Sequence, residues 1–403
     1  MTDHSDLIKE LATEHQSKIL FFIMDGVGGL QTADHPGTEL ESAKTPNLDR
    51  LARESSCGLL IPVGPGITAG SGPGHFALFG HDPVKSNAGR GVLEAAGICF
   101  ELTEDDVVAR GNFATVDKQG VIVDRRAGRI STDENKRLCE LLNKEVHLNG
   151  VELFVEPVRE HRFIVVFRAS GLEGEISDTD PQTTGVPPLA PRPLDPASAN
   201  TVDQVKRFID QAASVLSTEA KANMLTLRGF GKYRRYPTMR ERYKLKSLCL
   251  ANYPMYRGVC YLIGMDLNPV TPDIPSQFDA LEREFARYDF MFLHVKTTDV
   301  TGEDGDFEAK VEAIEELDSY IPRLKELNPD VLVITGDHST PSALRSHSWH
   351  PVPVLLNSQY ARLDAAERFT ELECLKGALG QMPAHKLMAV SMAHALRLKK
   401  FGA

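Results

Sequence analysis

The chain has 403 residues, long enough for about two or three domains, and its apolar and charged fractions of 42% and 25% are typical of a globular protein. Its 45 lysines and arginines against 56 aspartates and glutamates give a net charge of −11, which excludes a general surface for nucleic acid or anionic membranes. Six scattered cysteines without a CxxC pair, and an early apolar run too short for a signal peptide or membrane span, predict a cytoplasmic protein whose cysteines are reduced packing residues, with no particular oligomeric state indicated.

The first predicted strand is the apolar run ILFFIM at 19–24, and Asp25 follows it directly. A helix comes next, because Thr45 is a typical N-cap residue and Pro46 suits the first helical position. We expect this helix to extend toward Ser55 and to pack on the sheet.

The segment GITAGSGPGHFALFGHDP (66–83) places Ser71 between glycines, and Pro73 predicts the start of a helix. Free N–H groups and the positive end of the helix dipole would favour a phosphate or an alkoxide at Ser71. That environment suits a nucleophilic serine in phosphoryl transfer. A capping serine in a glycine-rich turn is the alternative, and for Ser71 alone it is the more common case.

The residue pattern changes between about residues 100 and 235, where glycines and charged residues alternate with short apolar runs. Strands are predicted at 151–158 and 162–167 and a helix at 202–216, and a proline-rich stretch at 186–196 marks a long connection. We therefore predict an inserted α+β domain at 101–235. The core would then be discontinuous, formed by 1–100 and 236–403.

Basic residues cluster in this insert. They are Arg110, Arg125, Arg126, Arg129 and Arg228. A guanidinium group matches the geometry of phosphate and carboxylate, so such a cluster in an acidic protein predicts a site for a small dianionic substrate. Solvated surface arginines are an equally weighted alternative.

Two further strands are predicted in the last third of the chain. The run at 288–296 leads to Asp299, and the run at 331–335 leads to Asp337 and His338. Apolar residues at spacings of three and four from 307 to 327 predict a connecting helix, interrupted only by a proline. A strand–helix–strand connection makes the two strands parallel, so both aspartates are expected at the carboxyl edge of the sheet, where ligands bind.

Three aspartates, two histidines and a serine thus follow predicted strands or begin a helix. They are Asp25, Asp299, Asp337, His338, His347 and Ser71. An Asp-His pair alone is more often a polar surface turn, but the whole set supplies ligands for two divalent cations. Two such ions would polarise a phosphoryl group and lower the pKa of the serine hydroxyl.

The motifs MDG, GSGPGH, TDVTGEDGD, TGDHSTP and HSWHPVP resemble those of the alkaline phosphatase superfamily. Within it, RGNFATVD, DRRAGR and the order of the segments resemble the cofactor-independent phosphoglycerate mutases of the archaeal type, over nearly the whole chain from about residue 19. The resemblance implies a three-layer α/β/α core with a mainly parallel sheet and an inserted α+β domain. It also implies interconversion of 3-phosphoglycerate and 2-phosphoglycerate through a phosphoserine at Ser71.

The resemblance further implies two divalent ions, with Mn²⁺ expected and Mg²⁺, Co²⁺ or Zn²⁺ as alternatives. The first ligand set would be Asp25, Ser71, Asp337 and His338. The second would be Asp299, the residue four positions later, and His347.

The familiar pattern has histidine at that fourth position, and this chain has Glu303. A carboxylate there favours harder ions such as Mn²⁺ or Mg²⁺. Asp304 or Asp306 could supply the ligand instead, and His350 could replace His347.

Two other functions stay open at this stage: a metal-dependent phosphohydrolase or other phosphomutase on the same core, and a metal-binding protein without catalysis. The insert separates the mutase from the hydrolase, because a mutase must retain the dephosphorylated glycerate and exclude water.

Overall fold

The computed structural model describes residues 5–86 and 88–402. The strands are β1 (Ile19–Met24), β2 (Ser56–Ile61), β3 (Asp106–Val116), β4 (Ile122–Asp124), β5 (Glu152–Arg159), β6 (Arg162–Arg168), β7 (Met224–Lys232), β8 (Ser247–Leu250), β9 (Asp266–Leu267), β10 (Phe290–Val295), β11 (Val331–Thr335), β12 (Val352–Ser358) and β13 (Gly380–Pro383). The α-helices are α1 (Ser5–Leu11), α2 (Glu39–Ser42), α3 (Pro46–Arg53), α4 (Ser71–Leu78), α5 (Arg90–Gly97), α6 (Thr132–Glu145), α7 (Ala199–Leu216), α8 (Met239–Tyr243), α9 (Pro254–Leu262), α10 (Ile274–Glu284), α11 (Thr297–Asp304), α12 (Phe307–Asp318), α13 (Ile321–Glu326), α14 (Glu371–Cys374) and α15 (Leu387–His394).

The chain divides into two compact units. The first comprises the described residues of Met1–Asn87 and Tyr236–Ala403, and the second is Ala88–Arg235. The second unit begins at Ala88, whereas residue 101 was the boundary predicted from the sequence. Helix α5 belongs to the second unit because it packs on β3 and β7, which are strands of that unit.

The first unit contains an eight-stranded sheet with the order β13-β2-β12-β11-β1-β10-β8-β9. Strand β1 lies between β10 and β11 and pairs in parallel with both, while β12 is antiparallel to both of its neighbours. All residues of β1, β10 and β11 are buried, as expected for parallel strands covered on both faces. The predicted α/β class with a mainly parallel sheet is confirmed.

The prediction of a single connecting helix between β10 and β11 is wrong in detail. It consists of two helices, α12 and α13, and Pro322 lies in the first turn of the second, where a missing backbone N–H costs nothing. A further helix, α11, follows β10 directly. Asp299 therefore lies in the first turn of a helix rather than at the strand end itself.

The second unit is built on an antiparallel sheet in the order β4-β3-β6-β5, with β7 paired to the other side of β3. Helices α6 and α7 bury apolar residues against it, among them Leu138, Phe208 and Leu216, together with Phe113 and Phe163 from the strands. The unit is α+β, as predicted from the sequence.

Five of the six cysteines are buried, but Cys99 is exposed, so its assignment as a packing residue is wrong. Within residues 5–86 and 88–402, the helices are too short or too polar to cross a lipid bilayer.

Candidate active site

Helix α4 places the predicted nucleophile. It begins at Ser71 with Gly70 as N-cap, so the prediction that Pro73 starts the helix is wrong by two residues. Pro73 is tolerated because the first turn of a helix has no internal partners for its N–H groups. Gly74 lets the helix approach the neighbouring turn closely, since a Cβ there would lie 2.6 Å from the carbonyl oxygen of Asp337.

Three buried side chains that could ligate a cation lie beside Ser71. Asp25, Asp337 and His338 each offer one atom within 4.8 Å of the others. The His338 Nε2 atom is 3.4 Å from Asp25 Oδ1 and 3.2 Å from Asp337 Oδ2, and the Ser71 hydroxyl lies 3.4 Å from the same nitrogen. We call Asp25, Asp337 and His338 the first ligand group; they are three of the four residues that the resemblance implies for the first ion, and Ser71 is the fourth.

The carboxylates of this group fit a cation. Asp25 Oδ1 and Asp337 Oδ2 are buried and make no hydrogen bond of acceptable geometry with any described residue, although imidazole nitrogens lie close by. A buried carboxylate oxygen left in this way costs free energy unless a positive charge meets it. Oxygen and imidazole nitrogen donors together are typical of Mn²⁺ or Zn²⁺ sites.

A second group adjoins the first. Asp299, His338 and His347 also bring one ligand atom each within 4.8 Å. His347 Nε2 lies 3.6 Å from Asp299 Oδ1, and its ring stacks on that of His338 with 3.5 Å between centroids. His338 thus stands between the two groups, and its Nδ1 lies 3.0 Å from the hydroxyl of Thr340, which donates to Asp299.

Glu303 lies near this second group. It is four residues after Asp299 on α11, so both side chains share one face of the helix. Its Oε1 atom is 3.7 Å from His347 Nε2, while its side chain is 52% exposed.

The alternative ligands lie outside both groups. Asp306 accepts a hydrogen bond from Ala309 N as the N-cap of α12, and His350 Nδ1 lies 3.0 Å from the Ser348 hydroxyl. Asp304 is exposed on α11.

Sequence reasoning missed Lys296. Its ammonium donates to Asp299 Oδ2 at 2.6 Å, to the Tyr256 hydroxyl at 2.8 Å and to Asp25 Oδ2 at 3.3 Å. It therefore connects a carboxylate of the first group with one of the second. The only sequence signal was its position three residues before Asp299, in the turn that follows a predicted strand.

The protonation states suit cation binding. Burial lowers the pKa of His338 well below its usual value, so its imidazole is neutral and free to ligate. Burial alone would raise the pKa of Asp25, but His294, His338 and Lys296 hold it well below its usual range. Burial and the charge of Asp25 raise the pKa of Asp337, which is the behaviour of two carboxylates that need a shared positive charge.

A buried lysine fixes the turns that carry the ligands. Lys310 is fully buried and donates to the carbonyl oxygens of Gly26, Gly28 and Thr340 at 3.0, 3.1 and 2.7 Å. It thereby joins the turn after β1 to the turn after β11. Among the acidic groups that raise the pKa of Lys310 against its burial, buried Glu39 acts most strongly, and it accepts two hydrogen bonds from Ser342.

The family model for 2,3-bisphosphoglycerate-independent phosphoglycerate mutase matches residues 52–221. Two relatives named as probable enzymes of this kind, from Aquifex aeolicus and Thermus thermophilus, are 48% and 49% identical and cover 99% and 98% of the chain and 100% and 99% of their own lengths. The chain belongs to the 2,3-bisphosphoglycerate-independent phosphoglycerate mutase family.

Solved structures agree with this family membership. A cofactor-independent phosphoglycerate mutase from Thermoplasma acidophilum is 27% identical over 94% of the chain and all of its own length, with a TM-score of 0.69. A protein from Pyrococcus horikoshii reaches a TM-score of 0.83 at 28% identity, over 97% of this chain and all of its own.

In this phosphoglycerate mutase family member, the predicted substrate arginines all lie in the second unit. Arg110 and Arg228 are directly opposite one another on β3 and β7. The guanidinium group of Arg125 makes two hydrogen bonds to Asp180, at 3.0 and 2.8 Å. Arg126 and Arg129 are exposed in the turn after β4.

A buried carboxylate lies beside Arg110. Glu94 on α5 is 3.1 Å from Arg110, and its pKa is raised by burial although Arg110, Arg90 and other arginines oppose the shift. Two further carboxylates neighbour these arginines, since Arg228 lies 3.5 Å from Asp178 and 3.7 Å from Asp180.

Proposed function

We propose that this protein interconverts 3-phosphoglycerate and 2-phosphoglycerate without a bisphosphoglycerate cofactor. The observation that carries the proposal is the position of the Ser71 hydroxyl, 3.4 Å from the first ligand group at the N-terminus of a buried helix. Relatives of nearly the same length carry this name at close to half identity.

In this proposal Ser71 is the nucleophile. Its oxygen attacks the phosphorus of 3-phosphoglycerate while the bond to the C3 oxygen breaks, the serine proton is released and the glycerate oxygen takes one up. Glycerate then turns, and its 2-hydroxyl attacks the phosphoserine, so that 2-phosphoglycerate leaves and the serine is restored. Both transfers use the same site, which is why no second phosphate donor is needed.

Two divalent ions are proposed as cofactors. Asp25, Ser71, Asp337 and His338 would hold the first. Asp299, Glu303 and His347 would hold the second. Bound ions supply positive charge to the phosphoryl oxygens and lower the pKa of the serine hydroxyl. We propose Mn²⁺ as the preferred ion, followed by Mg²⁺, because Glu303 makes the second set richer in oxygen than a histidine would.

The arginine cluster of the second unit is proposed to bind the carboxylate and phosphate of the substrate. Its members are Arg110, Arg125, Arg126, Arg129 and Arg228. Planar guanidinium groups bind such anions in a bidentate manner and would retain glycerate between the two transfers. A cytoplasmic location is part of the same proposal, in keeping with six cysteines that form no disulfide in the structure.

An enolase-coupled assay tests this function. Protein stripped with chelator and reloaded with Mn²⁺, Mg²⁺, Co²⁺ or Zn²⁺ is given 3-phosphoglycerate without 2,3-bisphosphoglycerate, and inorganic phosphate is measured in parallel. We expect 2-phosphoglycerate to form with little free phosphate. Near-stoichiometric phosphate release would identify a phosphohydrolase on the same core, and full activity in the stripped protein would exclude the metal ligands from the reaction.

A further inference from the structure

A cavity of about 440 Å³ lies at the edge of the eight-stranded sheet opposite to the one that carries the candidate metal ligands. Two residues that line it, Lys246 and Asp289, immediately precede strands β8 and β10, and a third, Glu14, lies shortly before β1. The three strands are parallel, so their first residues share one edge, whereas Asp25 follows β1 at the other. A strand of six residues spans about 20 Å, so the cavity is separate from both ligand groups.

Positive charge predominates in the lining of this cavity. Its cationic residues are Arg240, Lys244, Lys246 and Arg397, against the acidic residues Glu14 and Asp289. Both carboxylate oxygens of Asp289 are already engaged, because they accept hydrogen bonds from Lys246 N at 2.9 Å and from Arg397 at 3.1 Å. In a chain with a net charge of −11, this local surplus of positive charge would attract an anionic ligand.

A buried arginine forms one fixed part of the cavity wall. The Arg397 side chain is fully buried and donates to the Ser17 hydroxyl at 3.1 Å, to the Ser17 carbonyl oxygen at 2.7 Å and to the carbonyl oxygen of His15. These bonds hold the segment before β1 in place. A guanidinium group fixed in this way adds positive charge to the site without a further cost of ordering when an anion binds.

The other three cations are exposed and available to a ligand. In the part of the chain that the structure describes, Arg240, Lys244 and Lys246 form no salt bridge, and the Lys246 ammonium lies 4.8 Å from the centroid of the Tyr288 ring. Lys244 ends helix α8 in the left-handed conformation, with a φ of 56°, where glycine or asparagine is usual. A lysine kept in an unfavourable backbone conformation is one sign of a functional side chain.

We propose that this cavity binds a small anion that carries two or more phosphate groups. Its volume is that of a metabolite site, and its separated cations exceed what a single phosphate can contact. Guanidinium and ammonium groups are the usual partners of phosphate oxygens. The only ring among the described lining residues is the imidazole of His15, so recognition should rest on the phosphates rather than on stacking with a nucleobase.

The test is a calorimetric titration of the full-length protein with pyrophosphate, after a chelator has removed metals that would bind it at the candidate active site. We expect Lys244→Gly and Lys246→Met each to lose roughly tenfold in affinity, and Glu14→Gln to gain roughly twofold because a repelling charge is removed. Lys244→Gly also relieves the left-handed conformation, so its thermal unfolding midpoint should equal or exceed that of the wild type. Lys325→Met, which removes an exposed lysine paired with Glu54, should bind pyrophosphate as the wild type does.

Three outcomes would overturn the proposal. The first is an absence of pyrophosphate binding by the wild type. The second is wild-type affinity in both cavity lysine variants together with a loss in Arg126→Ala, which would place the binding at the arginine cluster of the second unit. The third is a loss of affinity in Glu14→Gln as large as in the lysine variants, which would show that cavity shape rather than charge decides binding. Absence of mutase turnover would instead count against the proposed function alone, because this titration uses neither metal nor substrate.

Discussion

Replacing Lys310 by methionine tests how the ligand turns are held. The substitution keeps most of the side-chain volume but removes a fully buried ammonium that donates to the carbonyl oxygens of Gly26, Gly28 and Thr340. It also removes the positive charge that lowers the pKa of buried Glu39. Removing one partner from a buried charged network lowers the free energy of unfolding by about 3–5 kcal/mol. The contributions of the three hydrogen bonds are not simply added, because neighbouring contacts that share one group are not additive.

The same change should weaken metal binding. Two of the three acceptors, Gly26 and Gly28, follow Asp25, and Thr340 follows His338. Removing the Lys310 ammonium would therefore release the turns that position Asp25 and His338. Groups that orient metal ligands in this way typically contribute about 10- to 100-fold in affinity. We expect Lys310→Met to bind Mn²⁺ correspondingly more weakly and to lose about 3–5 kcal/mol in its free energy of unfolding.

The assay is urea unfolding followed by circular dichroism, combined with Mn²⁺ titration against a competing chelator. Lys325→Met serves as the control, since Lys325 forms an exposed pair with Glu54 worth about 1 kcal/mol or less. If the free energy of unfolding of Lys310→Met is within about 1 kcal/mol of the wild type and the variant binds Mn²⁺ equally well, Lys310 does not position the candidate ligands.

Four further predictions follow from the site and its surroundings. Ser71→Ala should keep the fold and the metal content yet lose turnover, and a near wild-type rate in the coupled assay would exclude Ser71 as nucleophile. Glu303→Ala should release one of two ions in elemental analysis, whereas two retained ions would point to another ligand. Arg126→Ala should lower mutase activity roughly ten- to hundred-fold and raise the phosphate released per 2-phosphoglycerate, and a wild-type ratio would assign the cluster another function. Buried His81 has its pKa lowered from 6.5 to about 3 by burial, so only the unfolded chain takes up its proton as the pH falls below 6.5. At pH 5 this costs about 2 kcal/mol of stability, which His81→Gln should abolish and the exposed-site control His147→Gln should not.

The parallel core could be predicted from short stretches of sequence. Strand β1 consists of apolar residues and β11 of four apolar residues and Thr335, because both faces are buried, and each strand is followed by candidate ligands within a few residues. Asp25, Asp337 and His338 were therefore identifiable from local pattern together with the rule that parallel strands share a carboxyl edge. The helix bounds were less accurate, since the start of α4 and the break between α12 and α13 depend on packing as well as on proline.

The tertiary structure alone decided which polar groups meet. Nothing local in the sequence brings Lys296 to both Asp25 and Asp299, since 271 residues separate it from one of these partners and three from the other. Lys310 is likewise 284 residues from Gly26, and its surroundings on an amphipathic helix are those of an ordinary exposed lysine. The sequence determines which strands form and which candidate ligands follow them, because burial and backbone geometry act over a few residues. Contacts between charged groups depend on where the sheet brings distant turns together, and their energies depend on the burial that results.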